Sequence, residues 1–194
     1  MKSSKTTLPE NSLLNSSHKK YDYVDSFQAV LYDAQNNFTS VDVGKAFFSA
    51  GPKWVENLFD VRNKIVSLFG FKTSGELKDR GKQLQNFRCE PGEQLGLFKV
   101  FDKNENEVIL GEDDKHLNFR ISLFLEQHQN SIQKKNLIIS TTVEFNNGFG
   151  RLYFLPVRPF HKLIVPAILK GIIEDLEKQK EQANSNTSNP IVVK

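Results

Sequence analysis

Apolar residues recur along this chain with two different periods, and the change of period divides it into elements. Between residues 21 and 31 apolar and aromatic positions alternate roughly with Asp and Ser, the signature of a half-buried strand. Thr39 or Ser40 is placed to cap a short helix running through Phe48, and Pro52 to open a second helix, where its missing N–H costs nothing. There Trp54, Leu58, Val61, Ile65 and Leu68 recur at spacings of four and three before Gly70, which predicts an amphipathic helix with one buried stripe.

Beyond a polar connection over residues 72–93 the period falls to two. Residues 95–101 and 107–111 flank a cluster of turn formers from Asp102 to Asn106, which predicts a hairpin. Two longer alternating runs follow. Leu117, Phe119, Ile121, Leu123 and Leu125 share one side of the first, and Leu137, Ile139, Thr141, Val143 and Phe145 share one side of the next. The opposite sides carry Asn118, Arg120 and Ser122, and Ser140, Thr142 and Glu144, so connections of this length imply antiparallel strands with one apolar and one mixed face. The last element, after Pro156 and Pro159, is helical to about residue 180, with Phe160, Leu163, Ile164, Ala167, Ile168, Gly171, Ile172 and Leu176 as its apolar stripe. Pro166 inside it predicts a bend or a restart.

Residues 1–20 are rich in Ser, Asn, Lys and Thr, and residues 181–194 are similarly polar, so both are expected to stay disordered around a single domain at 21–180. The net charge of +3 comes from 26 basic and 23 acidic residues spread through the chain, a mixed solvated surface and not a cationic stripe for nucleic acid. Near the N-terminus no apolar run of export-signal length appears, and the run from Leu163 to Leu169 is broken by Pro166, far short of the roughly 20 residues that span a bilayer. The expectation is a cytoplasmic protein with no membrane segment. The lone Cys89 can form no internal disulfide and reads as a structural thiol.

Several separated motifs resemble one family. The run from Gly111 through Glu112, Asp113, Asp114, Lys115, His116, Leu117, Asn118 and Phe119 to Arg120 is one. Gly150-Arg151-Leu152-Tyr153-Phe154 and Pro159-Phe160-His161-Lys162-Leu163-Ile164 follow it, and Pro52-Lys53-Trp54-Val55 and Leu58-Phe59-Asp60-Val61-Arg62-Asn63 precede it. In this order they resemble the DUF2867 domain over most of 21–175. The resemblance implies an α+β fold of the START/Bet v 1 (SRPBCC, helix-grip) class, a curved antiparallel sheet gripping a long C-terminal helix around a cavity. It implies no reaction. Members of the family sometimes look like appendages of epimerase-like, NAD(P)-binding proteins, whereas this chain has no Gly-rich dinucleotide turn and no cofactor is expected.

The cavity makes a small-molecule binding module the leading expectation, with Arg120, His116 and Arg62 as polar anchors and a hydrophobic or anionic ligand. Arg120 reads first as part of a solvated sheet face; if that face instead lines the cavity, Arg120 is the anchor for an anion, because its planar fork suits carboxylates. Asp114 and His116 sit in the densest acidic and imidazole cluster, at a strand end, and are the acid–base pair if the cavity is instead an active site. His161, at the opening of the last helix, completes the candidates. Adjacent residues on an extended chain point apart, so Asp113, Asp114 and His116 suit a structural turn better than a metal site, and no metal is expected. A third expectation is partnership with a separate oxidoreductase-like protein.

Overall fold

The computed structural model describes residues 2–15, 20–50 and 80–187. The helix expected after Pro52, with Trp54, Leu58, Val61, Arg62, Ile65 and Leu68, lies outside these described residues.

Seven antiparallel strands form one sheet: β1 (Ser4–Thr6), β2 (Tyr23–Tyr32), β3 (Gln94–Leu95), β4 (Phe98–Lys103), β5 (Glu107–Asp113), β6 (Leu117–Gln127) and β7 (Lys134–Phe145). Their order is β1-β2-β7-β6-β5-β4-β3, so β2 crosses to pair along its whole length with the last strand while β3 to β7 form a meander. Three described helices accompany the sheet: α1 (Ser40–Ser49), α2 (Arg80–Asn86) and α3 (Gly148–Thr187). This is the α+β architecture expected from the periodicities, an antiparallel sheet packed against a long C-terminal helix and consistent with a helix-grip fold.

Local chemistry sets the boundaries. Thr39 caps α1 reciprocally: its hydroxyl accepts from the Asp42 N–H, and the Asp42 carboxylate accepts from the Thr39 N–H at 2.8 Å. The Ser40 hydroxyl then donates to the Asn104 carbonyl at 2.6 Å, tying α1 to the β4–β5 hairpin. That hairpin turns where the turn formers predict, with the Asn106 N–H held by the Asn104 side chain.

One sheet face packs on the helices. Leu31, Leu110, Leu123, Leu137 and Ile139 from the strands meet Val43 of α1 and Leu169, Ile172, Ile173 and Leu176 of α3, all fully buried. Each such side chain stabilises the fold by roughly 1.5–3 kcal/mol through burial. Gly171 lets α3 lie against the end of α1, since a Cβ there would stand 2.2 Å from the Ala50 carbonyl oxygen. At the sheet's lower end Asp33 is buried between Lys135 at 3.0 Å and Lys180 of α3 at 3.8 Å. Lys180 also stands over the Tyr32 and Phe38 rings at 5.5 and 5.6 Å.

The N-terminal segment corrects an expectation. Residues 1–20 read as disordered, yet β1 extends the sheet beside β2, and a 3-10 turn (Leu13–Asn15) lies on the sheet's other face. The cause is a carboxylate. Glu107 is fully buried on that face and accepts from the Ser12 hydroxyl at 2.6 Å, the Leu13 N–H at 2.7 Å and the Ser122 hydroxyl. The mixed face is therefore partly covered, with Leu14, Ile109, Phe124 and Ile138 buried as well.

The last helix departs from expectation in three ways. It starts at Gly148 and runs through Pro156, Pro159 and Pro166 without restarting, continuing to Thr187 where a frayed tail from 181 was expected. Each proline deprives the carbonyl four residues earlier of its donor, and those carbonyls belong to Leu152, Leu155 and Lys162, all exposed, where water can replace the lost bond. The buried stripe is Phe154, Val165, Ile168, Leu169, Ile172, Ile173 and Leu176, whereas Phe160 and Leu163 turn outward at 50% and 65% exposure. Finally, by length and composition alone the helix over Gly148–Gln182 is apolar enough to cross a membrane, which counting uninterrupted apolar residues does not detect. In this structure its C-terminal half packs on the sheet instead.

Candidate binding cavity

The N-terminal half of α3 does not seal against the sheet. A cavity of about 150 Å³ lies between them, bounded by Leu117, Phe119, Ile121, Thr141 and Val143 of the sheet and by Tyr153, Phe154, Val157 and His161 of the helix. Leu97, Phe98, Glu112 and Asp114 complete its wall. A space of that size holds a group such as an aromatic ring.

Strand parity explains the lining. In β6 the odd-numbered residues face α3, and their cross-strand partners Thr141 and Val143 in β7 face the same way. In β2 the same parity puts Tyr23 and Asp25 beside Phe27, Ala29 and Leu31, so a carboxylate stands on the apolar side directly opposite Thr141. His161 comes down from α3 and meets it, Nδ1 lying 3.0 Å from Asp25 Oδ2. The Tyr23 hydroxyl donates to the same oxygen at 2.6 Å, and the Tyr23 and His161 rings meet edge to face at 6.2 Å.

An ionised carboxylate only accepts, so the shared hydrogen sits on His161 Nδ1, and Nε2 is the ring nitrogen left for the cavity. Burial pushes the Tyr23 hydroxyl above the usual tyrosine range, the hydrogen bond to Asp25 and its charge push it further, and Arg158 opposes the shift. Tyr23 therefore stays a phenol and a donor. Asp25 is 6% and Thr141 3% exposed, and Asp25 Oδ1 and Thr141 Oγ1 have no hydrogen-bond partner. A buried polar atom left without one costs roughly 1–3 kcal/mol, and of these two residues Thr141 lines the cavity.

Of the residues nominated from sequence, His161 and Asp114 line the cavity, and Arg120 and His116 do not. Arg120 points to the opposite sheet face, pairs with Asp113 at 2.7 Å and lies over the Phe101 ring at 3.4 Å. An anionic ligand thereby loses the anchor proposed for it. His116 belongs to the turn that seats α3: its carbonyl accepts from the Asn146 N–H at 2.9 Å and its ring packs on Phe149 at 4.9 Å. Gly150 fits here because a Cβ would stand 2.1 Å from the His116 carbonyl oxygen. Asp114 uses one carboxylate oxygen to hold the His116 N–H at 3.1 Å. Arg62 lies outside the described residues. Among those described, no group of three or more His, Cys, Asp or Glu side chains forms that could hold a metal ion. Cys89 is fully buried, and burial above all pushes its thiol up to about 12, which fits a structural role.

Asp25, Tyr23 and Thr141 were not singled out from sequence, although the inward parity of Asp25 among Phe27, Ala29 and Leu31 was a signal that could have found it.

Fold and cavity together define an α+β helix-grip-like protein with a polar spot in an apolar chamber. The chain belongs to the family described as protein of unknown function (DUF2867), whose model matches residues 17–168. No curated protein and no solved structure matches it.

Proposed function

We propose that this protein binds a small, mainly apolar molecule in the cavity between the sheet and the N-terminal half of α3. The observation that carries the reading is His161, held by the buried Asp25 to which Tyr23 also donates, lining an otherwise largely apolar space together with Thr141. Ligand sites commonly have this composition, apolar walls with a few placed polar groups. A solid core would have no use for a carboxylate with one unpartnered oxygen.

The test is occupancy against a filled cavity. Titration of the full chain with toluene, followed by amide chemical shifts, moves signals from Phe119, Thr141 and Val157. A Val157→Trp variant that keeps the native spectrum elsewhere abolishes those shifts. Toluene shifts spread evenly over the surface, or unchanged in the filled variant, contradict the proposal.

A second reading, acid–base chemistry in the same space, moves from His116 and Asp114 to His161 and Asp25. The favouring observation is that Asp25 engages Nδ1 of an imidazole that lines the cavity, so Nε2 is the nitrogen left uncommitted, as a general base requires. It predicts that His161→Gln retains toluene binding and loses turnover of any substrate found, whereas a loss of both makes His161 a binding group.

A further inference from the structure

Building on that reading, we infer that the bound molecule carries an uncharged hydroxyl group on a ring-sized apolar body, placed against His161 Nε2 and Thr141. His161 of α3 and Thr141 of the sheet are two polar residues of the lining that set the donors and acceptors a ligand meets there.

His161 Nδ1 is committed to Asp25 at 3.0 Å, so the ring meets a ligand through Nε2. If the imidazole is neutral, Nε2 accepts; if it is paired with Asp25 as a cation, Nε2 donates. An ether or a carbonyl suits only the second form, and an ammonium only the first. A hydroxyl donates and accepts, so it is satisfied in both. The same holds beside it, where Thr141 Oγ1 is buried without a partner and can give or take one hydrogen bond.

Charge in the described lining disfavours the acids. The described lining holds Glu112 and Asp114, with Asp25 behind His161, and contains no Lys or Arg. A carboxylate or phosphate placed there would face like charges in a partly desolvated space. Arg120 is on the far face of the sheet with Asp113, and Arg158 of α3 stands over the Tyr23 ring at 5.6 Å and is not part of the lining.

Size limits the body. About 150 Å³, walled by Phe98, Phe119, Phe154 and Val157, admits one ring and not a fused polycycle lying wholly inside.

The experiment compares four probes of one size, phenol, benzene, anisole and benzoate, by calorimetric or NMR titration of the full-length protein. Phenol binds roughly 3- to 10-fold tighter than benzene and anisole, the span one net hydrogen bond gives, and benzoate binds weakest. In His161→Phe the phenol preference falls to about onefold while benzene still binds; in Thr141→Val, which removes the hydroxyl at constant shape, it falls part of the way. If His161→Phe does not fold, the Thr141→Val result decides alone. Anisole or benzene equalling phenol overturns the hydroxyl assignment and leaves the cavity reading intact, and so does benzoate binding tightest. Failure of all four probes overturns both.

Discussion

Asp33 is the sharpest handle on how α3 is held to the sheet. It is buried at the end of β2 and takes an N–H from Asn37 at 3.0 Å, an N–H from Phe38 at 3.1 Å and the ammonium of Lys135 at 3.0 Å, with Lys180 of α3 at 3.8 Å. Burial alone would raise its pKa. The hydrogen bond from Lys135, those from the backbone of Asn37 and Phe38 and the charge of Lys135 outweigh that and hold it below the usual carboxylate range. Asp33→Ala removes the acceptor and leaves Lys135 and two N–H groups without it. Breaking a buried pair from one side costs about 3–5 kcal/mol, which for a chain of this size lowers the melting temperature by roughly 6–20 °C.

The pH dependence follows from the direction of the shift. A carboxyl whose folded pKa is depressed contributes stability above its unfolded pKa, about 3.9, and loses it as pH falls through the lower folded value. Thermal melts of wild type and Asp33→Ala should therefore differ by a constant amount from pH 8 to about 5 and converge only in acid. A gap below about 1 kcal/mol at pH 7, or one that widens on acidification, would refute the reasoning.

Four other outcomes are expected. Ile172→Ala, at a fully buried position on the helix stripe, lowers unfolding free energy by about 2–5 kcal/mol in urea titrations; a loss under about 1 would mean that α3 packs elsewhere. Glu107→Leu leaves Ser12, Leu13 and Ser122 without their acceptor, so limited proteolysis cuts within residues 2–15 of the variant while the wild type resists. Arg120→Ala leaves toluene binding within about twofold, because its guanidinium pairs with Asp113 on the face away from the cavity, and costs at most about 1 kcal/mol in stability. The Cys89 thiol, pushed up to about 12, resists iodoacetamide in the native protein at pH 8 and reacts on denaturation.

What was legible in the sequence was what repeats locally. The alternation of β6 and β7, the Asp102 to Asn106 turn and the Thr39 cap all depend on residues a few positions apart, and they appear in the structure as the patterns predict. The N-terminal strand was not legible. Ser4–Thr6 has no apolar pattern, and its order comes from main-chain pairing with β2 and from the Ser12–Glu107 bond across 95 positions. The helix start was hidden for a related reason: three prolines signal a stop to any local reading, whereas the residues whose carbonyls they release lie on the exposed side of the helix.

The site divides the same way. His161 was a visible candidate, but its partner stands 136 positions earlier, and no spacing rule links the two. Arg120 was an anchor only if its face lined the cavity, and its parity bears on that condition, since it alternates with Phe119 and Ile121 and faces away from whatever they face. His116 and Asp114 look chemical because the cluster is dense; in the fold they mainly shape the turn on which Gly150 and the first residues of α3 rest.

The account turns on an open chamber beside His161. A crystal of the full-length protein pressurised with xenon tests it most directly, because xenon enters apolar voids and is located by its scattering. The account predicts one xenon atom between Phe119 of the sheet and Phe154 and Val157 of α3. Side chains filling that volume, with no xenon between helix and sheet, would contradict it.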